Sequence, residues 1–161
     1  MLRMTDITGL TAVTHGTGRR TGLVERVCLS ADGQDVQGLI LRKKGLFCCK
    51  SYVPFECIAL WGEKTVTVTA EHKLPVSIRR RQEPEGLPVL DTAGERLGWV
   101  TDVLVEETTG RVTALEVSHG YVDDFTLGRS LVRDFTMRPG GVVAVTEPAA
   151  EEDGFFAVNS R

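Results

Sequence analysis

The amino-acid sequence predicts an all-β protein built from two tandem copies of one small β module. Three observations carry that prediction. Residues 13–39 recur as residues 89–115 at a constant offset of 76. No segment holds apolar residues at a 3.6-residue period over a helical length. Short β-branched stretches alternate with glycine-containing turns along the chain, the pattern of a small barrel or sandwich. The recurrence amounts to eight identities in 27 gapless positions, where unrelated sequence gives about two. Val13 matches Val89, Gly18 matches Gly94, Arg20 matches Arg96 and Gly22 matches Gly98. Val24 matches Val100, Val27 matches Val103, Val36 matches Val112 and Leu39 matches Leu115. Turn glycines and alternating apolar residues specify a fold rather than a reaction.

In the first copy, residues 11–14 form a short strand and Gly16-Thr17-Gly18-Arg19-Arg20 a glycine-rich turn. Residues 23–29 and 36–41 are strands joined through Asp32-Gly33, a pair favoured in tight hairpins. Lys43-Lys44-Gly45 turns the chain, and residues 46–49 make a further short strand. Pro54 lacks the N–H that a sheet ladder needs, so residues 51–58 read as a bend or one helical turn. Residues 65–69, Thr-Val-Thr-Val-Thr, alternate strictly and form a strand. The second copy starts at Leu87-Pro88-Val89-Leu90 and turns at residues 91–95. Residues 99–105 and 111–117 form its hairpin, residues 118–124 a polar loop, and residues 142–145 its closing strand. The resulting division is a first module over 1–72, a linker over 73–86, a second module over 87–148 and an acidic tail over 149–161.

Each copy is close to the smallest size that sustains a core. The copies are therefore expected to pack together or the protein to form a homodimer. The net charge of −3 conceals an imbalance: residues 1–81 carry 13 Lys+Arg and 7 Asp+Glu, whereas residues 82–161 carry 6 and 15. A basic and an acidic half attract each other; alternatively, each half meets a partner of its own. No apolar run reaches the length of a membrane span. Residues 1–6 lack an apolar core of signal-peptide length, so a cytoplasmic location is expected. Cys28, Cys48, Cys49 and Cys57 all lie in the first copy without a Cys-x-x-Cys pair. They read as reduced thiols filling apolar space, with no metal site.

Gly94-Glu95-Arg96-Leu97-Gly98-Trp99-Val100-Thr101-Asp102-Val103, continuing to Gly110-Arg111-Val112-Thr113-Ala114-Leu115, resembles the opening motif of the PRC-barrel domain. That family is named for the cytoplasmic part of the photosynthetic reaction-centre H subunit and includes the C-terminal domain of the ribosome maturation factor RimM. Gly18-Arg19-Arg20-Thr21-Gly22-Leu23-Val24 fits the same pattern, and Val53-Pro54-Phe55-Glu56-Cys57-Ile58 resembles its Pro-Phe-Glu-x-Ile step. The second copy departs after Gly120, where Leu131-Val132-Arg133-Asp134-Phe135 replaces the proline step. The resemblance implies two tandem small PRC-type β-barrels in a bacterial protein, without enzyme activity or cofactor. It also implies an adaptor that binds a protein partner or RNA.

The residues support little catalytic chemistry. Gly16-Thr17-Gly18 with Gly22 misses the dinucleotide spacing, and no helix follows to receive a phosphate. Ser118-His119 with Asp123-Asp124 supplies the residue types of a hydrolytic triad, but neighbours on one loop rarely reach triad geometry. The aspartate pair alone is too few oxygens for a hard cation. Two basic clusters remain as candidate partner- or anion-binding residues: Arg42, Lys43, Lys44 and Lys50 on a turn of the first copy, and Arg79, Arg80 and Arg81 in the connection. Phosphates of RNA or a ribosome, or an anionic membrane surface, would meet them. Phe47 and Tyr52 are the only aromatic residues near enough to stack on a base. Trp61 and Trp99 are expected in the core or between the barrels.

Overall fold

The computed structural model describes residues 1–45, 49–120 and 128–144. The chain opens with β1 (Leu2–Arg3) and one helical turn, α1 (Met4–Ile7). The first sheet follows with β2 (Thr11–Thr14), β3 (Arg20–Leu29), β4 (Val36–Arg42) and β5 (Lys50–Pro54). A 3-10 turn, Phe55–Cys57, leads to β6 (Ile58–Trp61), β7 (Thr65–Val68) and β8 (His72–Lys73). A second helical turn, α2 (Val76–Arg79), precedes the second sheet: β9 (Pro88–Leu90), β10 (Arg96–Val105), β11 (Val112–Ser118), β12 (Ser130–Val132), β13 (Phe135–Arg138) and β14 (Gly141–Ala144).

The 76-residue offset is structural as well as sequential. It carries β3 onto β10, β4 onto β11 and β7 onto β14, residue for residue. It also carries one strand irregularity, between Val24 and Arg26, onto another, between Val100 and Asp102. The strand orders are β6-β7-β2-β3-β4-β5-β8 and β12-β11-β10-β9-β14-β13, with β1 on the far half of β10. In both sheets a short early strand pairs in parallel with a short late one, β2 with β7 and β9 with β14. The repeated glycines Gly22 and Gly98 are needed for close approach. A Cβ at Gly22 would stand 2.8 Å from the carbonyl oxygen of Arg42, and one at Gly98 would overlap that of Ser118, the equivalent residue.

The expected barrels are corrected in one respect: neither ladder closes by hydrogen bonds among the described residues. The chain itself turns the corner. Only Arg133 and Asp134 separate the last residue of β12 from the first of β13, so these outer strands meet within about 11 Å. In the first half the 3-10 turn occupies that corner. Residues 51–54, read from sequence as part of a bend, instead extend β5, with Pro54 at its last position, and only Phe55–Cys57 is helical. Residues 72–79 are more ordered than a bare connection: Leu74 and Ile78 cover Cys28, Ile40 and Tyr52 in a small second apolar cluster. The expected strand at 46–49 and the polar loop at 118–124 fall largely outside the described residues, as does the acidic tail.

The two halves share one core. Val24, Leu39, Val53 and Val66 from the first belong to the same buried cluster as Val89, Val103, Leu115 and Val142 from the second. The halves meet at their hairpin tips about a local two-fold axis. The Val36 amide donates to the Gly110 carbonyl at 2.8 Å, and the Val112 amide donates to the Gln34 carbonyl at 2.8 Å. Between them Asp35 faces Arg111 in an antiparallel bridge. Residues 34, 35 and 36 map onto 110, 111 and 112 under the offset, so the contact is isologous. Gly33 and Gly110, at φ +75° and +72°, let Met137 and Phe55 respectively lie against them from the opposite half.

Because the core is continuous, the halves are expected to unfold together. Met137→Ala opens a cavity beneath the first hairpin tip and should cost about 2–5 kcal/mol. Chemical denaturation followed by Trp61 and Trp99 fluorescence should show one transition shifted as a whole. The second tip is acid-sensitive. The Thr109 hydroxyl and the amides of Thr108 and Thr109 donate to the Glu106 carboxylate and hold its pKa at about 2, below the ordinary 4.5. That contribution is fully present above the unfolded-state value and is lost as pH falls through about 2. A Glu106→Ala variant should therefore be less stable than the parent at neutral pH, and the two unfolding curves should converge in strong acid.

Candidate functional site

The sequence-predicted cations divide between two grooves. Lys43 and Lys44, on the turn after β4, line a groove of about 540 Å³ together with Arg19 and Arg20 from the β2–β3 turn. Thr14, Thr21 and Gly22 form its wall and Glu71 its floor. Arg42 ends β4 beside it, exposed. Lys43 Nζ lies 2.8 Å from Glu71 Oε2. Burial pushes the Glu71 carboxyl up, but the Lys43 ammonium and the nearby Ser51 and Thr21 hydroxyls outweigh it, so the group sits below its ordinary range. Arg19, Arg20 and Lys44 have no ion pair among the described residues. Sequence reasoning missed Arg19 and Arg20 as members of this group because they were read as turn residues; only the pairing of β3 with β4 brings the two turns together.

Lys50 and Arg79 line a second groove, of about 590 Å³, whose other charges are Glu25, Arg26 and Glu83. Lys50 is already paired with Glu25 at 2.9 Å. Arg26 pairs with Glu83 at 3.2 Å and donates to the Ile78 carbonyl. Arg80 is exposed beyond α2, and Arg81 donates to the Gln37 side chain at 3.3 Å. Of the Arg79–Arg81 run, Arg81 ties the end of α2 to the first sheet, Arg79 faces the second groove and Arg80 is exposed; none of them lines the first groove. Tyr52, named as a stacking candidate, is buried and donates its hydroxyl to the Gln37 carbonyl. Phe47 lies outside the described residues.

The second half carries a feature that the sequence did not disclose. Asp102 and Glu116 are cross-strand neighbours, both buried. The N-terminal segment lies over them. Arg3 reaches Glu116 at 2.8 Å and Asp102 at 3.8 Å, and the Thr5 hydroxyl donates to Asp102 at 2.5 Å. Arg129 closes the other side at 2.6 Å from Glu116. In the first half the same two positions are Arg26 and Ile40, covered by α2 instead. Trp61 packs against the core as expected. Trp99 does not: it is 37% exposed, and the Arg96 guanidinium stacks 4.5 Å from its ring centroid. A register shift between Arg96 and Gly98 allows two residues three apart to share a face.

A family model for the PRC-barrel domain matches residues 1–74 and again residues 78–142. The chain belongs to the PRC-barrel domain family. Among curated proteins nothing matches it. The PRC-barrel family is generally non-catalytic. His119 of the discarded triad is engaged on both ring nitrogens: Nδ1 meets the Leu97 carbonyl and Nε2 the Ser130 hydroxyl, each at 2.6 Å. A carbonyl only accepts, so Nδ1 carries a proton. Asp123 and Asp124 lie outside the described residues. Among the described residues no group of three His, Cys, Asp or Glu is placed to hold a metal, and no helix is long and apolar enough to cross a membrane. Cys28 is buried, Cys57 half-buried and Cys49 exposed; burial raises the Cys28 thiol pKa, which keeps it protonated.

The buried carboxylates make the N-terminal segment of this PRC-barrel protein structurally necessary. Arg3→Met keeps the aliphatic stem but removes the charge-assisted bond to Glu116, and should cost about 1.5–3 kcal/mol. Urea titration of the full chain measures it. A cost near zero would mean that Arg129 alone satisfies Glu116.

Proposed function

We propose that this chain is a non-enzymatic adaptor or assembly module that binds a protein partner through its PRC-barrel surfaces, within a cytoplasmic setting. The observation that carries this reading is Trp99. It stands on the outer face of a central strand, a third exposed, with its ring already oriented by Arg96. Trp and Arg are the residue types that dominate interface energies, and a ring held in place loses little freedom on docking. The shared core supports the reading further, since it holds both halves as one rigid platform.

A second reading, an RNA- or ribosome-associated role of the basic half, is favoured by the meeting of Arg19, Arg20, Lys43 and Lys44 in one groove. Affinity capture of the tagged chain from its host lysate, with and without nuclease, separates the two. The adaptor reading expects a small set of proteins that resists nuclease and is lost or reduced about tenfold for Trp99→Ala. Ribosomal proteins that disappear with nuclease would instead support the RNA role. A nuclease-resistant set indifferent to Trp99→Ala would remove Trp99 as the anchor.

A further inference from the structure

The internal repeat supplies a control for the basic groove. The cationic positions of the first half have equivalents in the second under the same offset of 76. Arg19 corresponds to Glu95, Lys43 to His119 and Lys44 to Gly120, while Arg20 corresponds to Arg96 and Gly22 to Gly98. Gly22 and Gly98 are kept because the adjacent carbonyl leaves no room for a Cβ. Of the four cations only Arg20 is kept, as Arg96. The second half folds the same corner with one arginine, and that arginine lies over Trp99. The fold therefore does not require the four-cation groove, and the charge there is surplus to structure.

The ligand must bring negative charge into a short concave space. Lys43 is neutralised by Glu71, which leaves Arg19, Arg20 and Lys44 uncompensated. A protein that follows a nucleic-acid backbone can make about 6–10 phosphate contacts, and here only Arg42, beside the groove, adds to these three cations. Lys50 and Arg79 lie in a separate groove beside Glu25 and Glu83. Two guanidinium forks and an ammonium within about 540 Å³ match instead a few closely spaced carboxylates. We propose that the groove bounded by Arg19, Arg20 and Lys44 binds a short carboxylate-rich peptide segment of the protein partner. This rests on the adaptor reading, but not on Trp99 as its anchor.

The test uses the full chain and a fluorescent peptide of alternating Glu and Gly, read by anisotropy at low salt. The variant is Arg19→Glu combined with Lys44→Gly, which installs the residues that the second half carries at the same positions. Peptide affinity is expected to fall by tenfold or more in this variant and to stay unchanged in Arg96→Gln at the equivalent place. Equal binding by the parent and the double variant would overturn the proposal. So would tighter, variant-sensitive binding of a single-stranded RNA oligonucleotide of matched charge. Binding that appears only after removal of residues 149–161 would overturn it as well, by assigning the groove to the chain's own acidic tail. If lysate proteins are still captured through Trp99 by the double variant, the adaptor reading stands while the groove assignment fails.

Discussion

Six backbone residues hold this molecule in its shape. Residues 34–36 and 110–112 form a reciprocal bridge in which each hairpin tip completes the hydrogen bonding of the other. Buried amides and carbonyls at a turn are costly to leave unpaired, and neither half pairs these groups by itself. The same contact seats Met137 on Gly33 and Phe55 on Gly110, so it extends directly into the core. A module near the lower size limit for independent folding thereby gains a core of twice the extent. The relation between the halves resembles that of a homodimer whose two copies occupy one chain.

Fusion into one chain has let the outer faces diverge while the interface stayed symmetric. On the first sheet, Arg26 and Ile40 lie under α2, where Leu74 and Ile78 add apolar cover. On the second, Asp102 and Glu116 lie under the N-terminal segment, held by Arg3 and Thr5. Each pair of strand residues is matched in chemistry to the segment that covers it, so the two coverings are not interchangeable. At the open end of each sheet the same divergence produced a basic groove in one half and the Arg96–Trp99 pair in the other. Part of the charge asymmetry visible in composition thus has a place in the structure, in the basic groove of one half and the buried carboxylate pair of the other.

Much of the architecture was legible because it is local. The offset of 76, the turn glycines and the alternation of residues 65–69 read directly onto strands whose bounds then repeat. What escaped was set by contacts distant in sequence. Strand alternation places Arg96 and Trp99 on opposite faces, and the irregularity between Arg96 and Gly98 reverses that. Pro54 was taken to break a strand, yet at the last position of β5 its missing N–H interrupts nothing further along the ladder. The short segments β1, α1 and α2 carry no periodicity of their own and exist because a sheet lies beneath them. The candidate site was half legible: Lys43 and Lys44 were evident as charges, but Arg19 and Arg20 join them only through strand pairing. The run of Arg79, Arg80 and Arg81 looked like one patch, yet Arg81 is tied to Gln37 while Arg79 faces the second groove and Arg80 lies exposed.

The position of β1 has a consequence for how the protein is made. Leu2 pairs with Val105, and Arg3 bonds to Glu116. A ribosome makes the chain from its N-terminal side, so β1 has no partner until more than a hundred further residues have followed. The first sheet can assemble during that interval, with its hairpin tip and the apolar face around Val24 still waiting for the second half. Contacts so distant in sequence close slowly and leave apolar surface open meanwhile. The β1 strand thus cannot be set in place until β10 and β11 have been made, so its attachment reports that the central hairpin of the second sheet exists.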